Sequence, residues 1–240
     1  MSKSSAAVLS FALAATACLE MEQTVTLNGD GSGSQTVVMK VAETTLADVQ
    51  RNSRAAETGV AANPLAVFDE KLVAAELIPA GLTLVRHETR RDGGRRTVEL
   101  EAGFPDFATL QKSPLCGSAA EWVLSAGPRE NTAKLTLYPQ GRAAWTEARA
   151  KAEQLAGSAD PVAAAFFQKR QEQLSGLDLV VRLRVPGDVL VWTRNLEKTG
   201  EREVTARITA EKLRTPEELI RWLAPRFEVI FDATGCKLPR

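Results

Sequence analysis

The chain has 240 residues, enough for one large domain or two small ones with no need for disulfide staples. Its 44% hydrophobic and 25% charged residues are ordinary for a globular protein. Thirty Lys and Arg balance thirty Asp and Glu, so no global field draws nucleic acid or an acidic polymer, and nucleic acid is excluded as a partner.

Met1 to Cys18 reads as an export signal: Lys3 supplies one positive charge, Ala6 to Ala17 an apolar run, and Ala15-Thr16-Ala17 small residues ahead of Cys18. As a helix that run would be about 18 Å long, well short of the roughly 30 Å hydrocarbon core, so it does not span a membrane. A buried helix would keep a polar face, whereas this run is apolar all round and gives way at once to Glu20, Glu22 and Gln23. Two readings compete with the one that follows: a cleaved signal of a soluble exported protein, and a structural N-terminal helix. Small residues immediately before a cysteine resemble the lipobox of bacterial lipoproteins, with Ala15 where that family usually has Leu. The resemblance implies a signal peptide over residues 1–17, diacylglycerol on Cys18, and a single mature domain over 18–240 tied to a membrane through that lipid. Leu19 after the cysteine, in place of Asp, resembles the Gram-negative sorting rule for the outer membrane. The implied location is therefore the bacterial cell envelope, lipid-anchored and facing the periplasm. Beyond the signal no apolar run comes near the length of a membrane span.

Three cysteines occur. With Cys18 acylated, Cys116 and Cys236 remain as an even pair in a compartment that permits disulfides, so a bridge is one expectation and two buried free thiols the other. Their spacing fits neither a redox Cys-x-x-Cys nor a zinc site.

After Cys18 the chain reads as a β-hairpin. Val25 and Leu27 alternate with Thr24 and Thr26, Asn28 to Gly33 supplies turn residues, and Gln35 to Val41 is again β-rich. Asn28, Asp30 and Ser32 mimic the start of a calcium loop, but the twelfth position is Met39 where a bidentate Glu is required. A lipidated cysteine followed by a hairpin with Asp30-Gly31-Ser32-Gly33 at its tip resembles the N-terminal region of the LppM-like bacterial lipoproteins, over about 25 residues. That resemblance implies binding of lipid-like molecules.

Two helices are expected next, one over Leu46 to Ala56 opened by Thr45 and Asp48, the other over Leu65 to Leu77 opened by Asn63-Pro64. Leu82 to Thr89 and Arg96 to Ala102 then form a hairpin turned at Asp92-Gly93-Gly94. Arg90, Arg91, Arg95 and Arg96 crowd its tip. They read either as charges that protect a strand edge or as guanidinium groups able to grip anionic headgroups. His87, the one histidine, reads as an exposed strand residue and not as a general base.

Phe104-Pro105-Asp106 caps a short helix, and 121–126 with 132–138 make a third hairpin. Residues 141–174 form a helical block of two helices broken at Gly157-Ser158. The last third returns to strands: 179–185, a Pro186-Gly187-Asp188 turn into 189–193, a Lys198-Thr199-Gly200 turn into 204–208, a helix capped by Thr215, and a final strand over 227–231. A strand, capped short helix, strand arrangement recurs at 96–124 and 203–231. The expected fold is α+β, an antiparallel sheet of sequential hairpins packed with helices. Trp122, Trp145, Trp192 and Trp222 are expected to anchor the core.

Motifs that carry chemistry are scarce. A Ser-His-Asp triad would need His87 as base, and neither a nucleophile elbow nor a phosphate loop occurs. No metal and no cofactor is implied. The expectation is a non-catalytic module that binds an envelope protein, lipid or glycan, with no catalytic residues. The alternative is a carboxylate-dependent hydrolase of envelope glycans, drawn from the thirty acidic residues.

Overall fold

The structure, a computed structural model, describes residues 19–46, 66–117, 119–155, 167–168 and 176–238. The signal segment with Cys18, most of the expected first helix, the Asn63-Pro64 cap and nearly all of the second helix of the 141–174 block lie outside these residues.

The α+β fold is as expected, and the three hairpins form where alternation and turn residues put them. Strand β1 (Leu19–Leu27) pairs antiparallel with β2 (Gly33–Ala42), in register from Leu19↔Val41 to Leu27↔Gly33. Its turn is held locally, with Ser32 N–H and Oγ both donating to Asp30 Oδ1. Strands β3 (Thr83–Asp92) and β4 (Arg95–Phe104) meet at Gly93-Gly94, whose φ values of 54° and 75° make a tight two-residue turn that matches strand twist. Strands β5 (Glu121–Ala126) and β6 (Thr132–Tyr138) make the third hairpin.

The helices follow their caps. Helix α1 (Glu70–Leu77) starts one turn later than the Asn63-Pro64 signal suggests, because Asp69 caps it by accepting from the N–H of Lys71 and Leu72. Helix α2 (Phe107–Leu110) is capped by Asp106, and α3 (Gly141–Leu155) is the first helix of the helical block. Strands β7 (Asp178–Arg184), β8 (Val189–Trp192), β9 (Glu197–Gly200) and β10 (Glu203–Thr209) lead to α4 (Pro216–Leu223) and β11 (Phe227–Asp232). Thr215 caps α4 by accepting from Glu218 N–H, and Glu218 reaches back to the N–H of Arg214.

Three features differ from the sequence reading. The strands form two sheets, a seven-stranded one in the order β3-β4-β2-β1-β7-β10-β9 and a four-stranded one in the order β5-β6-β11-β8. The larger sheet is not purely antiparallel, since β1 and β7 run parallel from Glu20↔Asp178 to Thr26↔Arg184. Residues 197–200 form a strand on β10, not a turn, and β8 leaves its expected neighbour β7 to join β11 in the other sheet. Both recurring units, β4–α2–β5 and β10–α4–β11, carry the chain from the large sheet to the small one.

One continuous apolar core fills the space between the sheets, with Val25, Val37, Leu100 and Leu183 from the large sheet and Leu135, Phe227, Val229 and Phe231 from the small one. Trp122 is buried in it as expected, whereas Trp192 is exposed on β8, at the edge of its sheet.

Candidate functional site

Three sequence features meet at one end of the large sheet. The registers Leu19↔Val41, Ala42↔Arg95 and Glu20↔Asp178 put the beginning of β1, the tip of the β3–β4 hairpin and the beginning of β7 side by side. Residue 18 directly precedes β1, so the chain enters the fold beside the arginine-rich tip.

Each arginine of that tip has a local partner. Arg95 Nη1 reaches Glu20 Oε1 at 2.6 Å, Arg90 Nη2 reaches Glu88 Oε2 at 2.8 Å, and Arg91 Nε lies 3.6 Å from Glu43 Oε1. Arg96 stacks its guanidinium 4.7 Å above the Phe68 ring. Arg86 bonds Glu99 at 2.6 Å on the neighbouring strand. Six acidic side chains (Glu20, Glu43, Glu88, Asp92, Glu99 and Glu101) therefore stand among five arginines and Lys40, which leaves the patch without net formal charge. The hydrogen bond from Arg90 holds the Glu88 carboxyl below the usual glutamate range. Exposed pairs of this kind are worth about 1 kcal/mol or less, and the Arg90 and Arg91 side chains are 74% and 72% exposed, so both can turn to another anion. His87 is half-buried, contrary to expectation. Its Nε2 lies 2.9 Å from the Val67 carbonyl, where it serves as a donor and fastens the segment before α1 to β3.

An apolar pocket opens near the same end. Met21, Leu179 and Ile208 of the large sheet form its floor, and Leu219, Trp222 and Leu223 of α4 form its cover. Met21 and Ile208 both pair with Leu179, one register step in from the chain entrance. The free volume is about 30 Å³, and Gln140 is the one polar side chain among the described residues of the lining. Among the described residues no carboxylate lines it.

Deeper in the core lies a polar cluster that the sequence reading missed. Gln23 and Gln35 take inward positions on β1 and β2, and their Nε2 atoms donate to Cys116 Sγ at 3.1 and 3.0 Å. Gln23 Nε2 also reaches Leu115 O at 3.2 Å, and Ser113 Oγ donates to Gln35 Oε1. The Trp122 N–H contacts the same sulfur without a hydrogen bond of normal geometry, and Gln23 Oε1 has no protein partner among the described residues. The available signal was the strand period itself, since Met21, Gln23, Val25 and Leu27 share one face, as do Gln35, Val37, Met39 and Val41.

This geometry corrects the expected disulfide. Cys116 and Cys236 are both free. Cys116 sits at the middle of β1 beside Gln23, while Cys236 lies against the β1–β2 turn, 3.5 Å from where a Gly29 side chain would begin. The tail is fastened by backbone bonds instead, Lys237 N–H to Gly29 O at 2.6 Å at that turn and Ala233 N–H to Asn131 O at 2.7 Å at the β5–β6 turn. Burial pushes the Cys116 thiol up to about 12, outweighing the amide donors around it. Alkylation of the native protein at pH 8 is therefore expected to modify Cys236 slowly, its thiol also raised by partial burial, and to spare Cys116 until the chain is unfolded. Peptide mass spectrometry reads this directly, and equal labelling of both residues, or a linked Cys116–Cys236 peptide, would contradict it.

Among the described residues no group of three His, Cys, Asp or Glu is arranged to hold a metal ion, and no helix is long and apolar enough to cross a membrane. No protein-family model and no curated protein matches the chain. Among solved structures it is similar to the NMR structure of the folded domain of Mycobacterium tuberculosis LppM, with 11% identity, 91% of each chain covered and a TM-score of 0.43.

Proposed function

We propose that this chain is a lipoprotein of the bacterial cell envelope, anchored through lipid on Cys18, and that residues 18–240 act as a non-catalytic binding module for an envelope protein, lipid or glycan. One observation carries the reading: the start of β1, the arginine-rich tip and the apolar pocket share one end of the large sheet. With β1 beginning at Leu19, lipid on Cys18 leaves almost no linker, because one residue extends the chain by only about 3.5 Å. That end then stays within a Debye length, about 10 Å at 0.1 M salt, of the lipid surface. The Cys18 acyl chains supply the attachment, at about 0.8 kcal/mol per buried methylene. Arg90 and Arg91 add a smaller attraction, about 1 kcal/mol each at an anionic surface before their acidic neighbours are counted. The outer membrane, with the module facing the periplasm, is the proposed location.

Two experiments test this. Cys18→Ser is expected to release the protein from membranes or leave its signal uncleaved, and a cleaved Cys18→Ser form that still fractionates with membranes would contradict the anchor. Unlipidated protein should co-sediment with anionic liposomes weakly and in a salt-sensitive manner, and alanine at Arg90, Arg91, Arg95 and Arg96 together should reduce that binding on the order of tenfold. Equal binding by both forms would remove the tip from the interface. Turnover of peptidoglycan or glycan substrates would replace the binding reading with the hydrolase one.

A further inference from the structure

Strand β3 is an outer strand of the seven-stranded sheet, and from Arg86 to Asp92 its pairing with β4 is regular, because its one bulge lies earlier, between Leu84 and Arg86. The glycine turn fixes which way its backbone groups point. A two-residue turn with two positive φ values closes on a doubly bonded pair, here Asp92 with Arg95, so the alternate pairs Arg90–Thr97, Glu88–Glu99 and Arg86–Glu101 also bond inward to β4. The N–H and C=O groups of His87, Thr89 and Arg91 therefore face out of the sheet, and among the described residues no other backbone group takes them up. Thr89 stands opposite buried Val98, on the inner side of the sheet, yet is itself exposed, so the described chain does not overhang the middle of this edge.

Charge on an edge strand ordinarily keeps other strands away. On β3 the order of the charges does the reverse for one strand, a copy of itself. Arg86, Glu88, Arg90 and Asp92 share the outer face, and their plus-minus-plus-minus order becomes its own complement when the strand is turned end for end. The geometry points to a second copy of this chain as the occupant of the edge, its β3 antiparallel to the first about a twofold axis at Thr89. Six N–H···O bonds then form, two in each of the pairs His87–Arg91, Thr89–Thr89 and Arg91–His87. Between these pairs Glu88 faces Arg90 of the second copy and Arg86 faces its Asp92, each twice, at the closer non-bonded positions where side chains meet. The ion pairs of the single chain leave Asp92 out, and here it gains a partner. The Glu88–Arg90 pair, 2.8 Å within one strand, becomes half of a square of four alternating charges. The same residues set the register. An axis moved by one residue, to Glu88 or Arg90, puts Arg against Arg and acid against acid, and an axis moved by two, to His87 or Arg91, keeps two of the four charge pairs. Pairing engages Arg86 and Arg90, so it is an alternative to contact between the tip and an anionic surface and does not depend on the lipid anchor.

The test uses the full chain purified in detergent. With Cys236→Ser as background, Thr89→Cys should give a covalent dimer under mild oxidation, because facing residues at a bonded pair have Cα atoms about 5.5 Å apart, within disulfide range. Peptide mass spectrometry should find position 89 linked to itself. Glu197→Cys in the same background, also exposed but on the opposite edge strand β9, should not crosslink. Glu88→Arg brings four arginines together across the axis and should weaken self-association by at least about tenfold in sedimentation equilibrium. Glu88→Arg with Arg90→Glu keeps the strand self-complementary and should restore it. Restoration in the double variant excludes misfolding as the cause. A chain that stays monomeric at about 100 μM, crosslinking through position 89 no faster than through position 197, or failure of the double variant to restore association would overturn the proposal and leave β3 an edge that its charges protect.

Discussion

Phe231→Ala is expected to destabilise the protein by about 3–5 kcal/mol, a large part of the roughly 5–15 kcal/mol that holds a domain of this kind together. Phe231 has no exposed surface and lies on the inner face of β11, between Ala133 on β6 and Val189 on β8. Ala133 and Val189 are small, so the flanking side chains cannot close over the space that a missing ring leaves. The cost is therefore the transfer term together with most of the cavity term. Urea denaturation should show the midpoint falling with an unchanged slope. A loss below about 1 kcal/mol would mean that the two sheets do not share the core described here. Phe231→Leu, which keeps most of the volume, should cost less than half as much.

Gly33→Ala should follow, at about 3 kcal/mol, the upper end of what overpacking costs. A methyl group at Gly33 would fall 1.9 Å from the Thr26 carbonyl oxygen and 2.5 Å from the Phe104 ring. The first contact is backbone of the adjacent strand, and the ring is buried, so neither can move without opening β2 from β1 or β4. Gly93→Ala provides the contrast. A side chain there meets nothing within 4 Å, and the strain comes only from a positive φ of 54°, worth about 1 kcal/mol. Comparing the two thermal midpoints separates close approach from backbone conformation. If Gly33→Ala is as mild as Gly93→Ala, the packing of β2 between β1 and β4 is looser than this.

Much of the candidate site was legible in part. The arginine tip, the turn that makes it and the proximity of Cys18 to the first strand could all be read along the chain, because turns and alternation are local. The partners of those arginines were not legible. Glu20 is 75 positions from Arg95, and Glu43 and Phe68 belong to segments that only the folded sheet brings beside the tip. The same distance hid the Cys116 cluster, whose two glutamines come from β1 and β2 and whose thiol comes from the segment after α2.

Local chemistry also sets most of the elements. Asp106 and Thr215 cap helices because their side chains satisfy amide groups three residues away, and Gly93-Gly94 reverses the chain because glycine takes two successive positive φ values at low cost. Alternation tells which side chains of a strand share a face, but every strand has two edges, and the pattern along it does not say which neighbour each edge accepts. The parallel pairing of β1 with β7, the division into two sheets, the departure of β8 to β11 and the covering of the pocket by α4 were decided by tertiary structure alone. These choices depend on how the apolar faces of all eleven strands are best buried together, a sum over the whole chain that no single stretch of it contains.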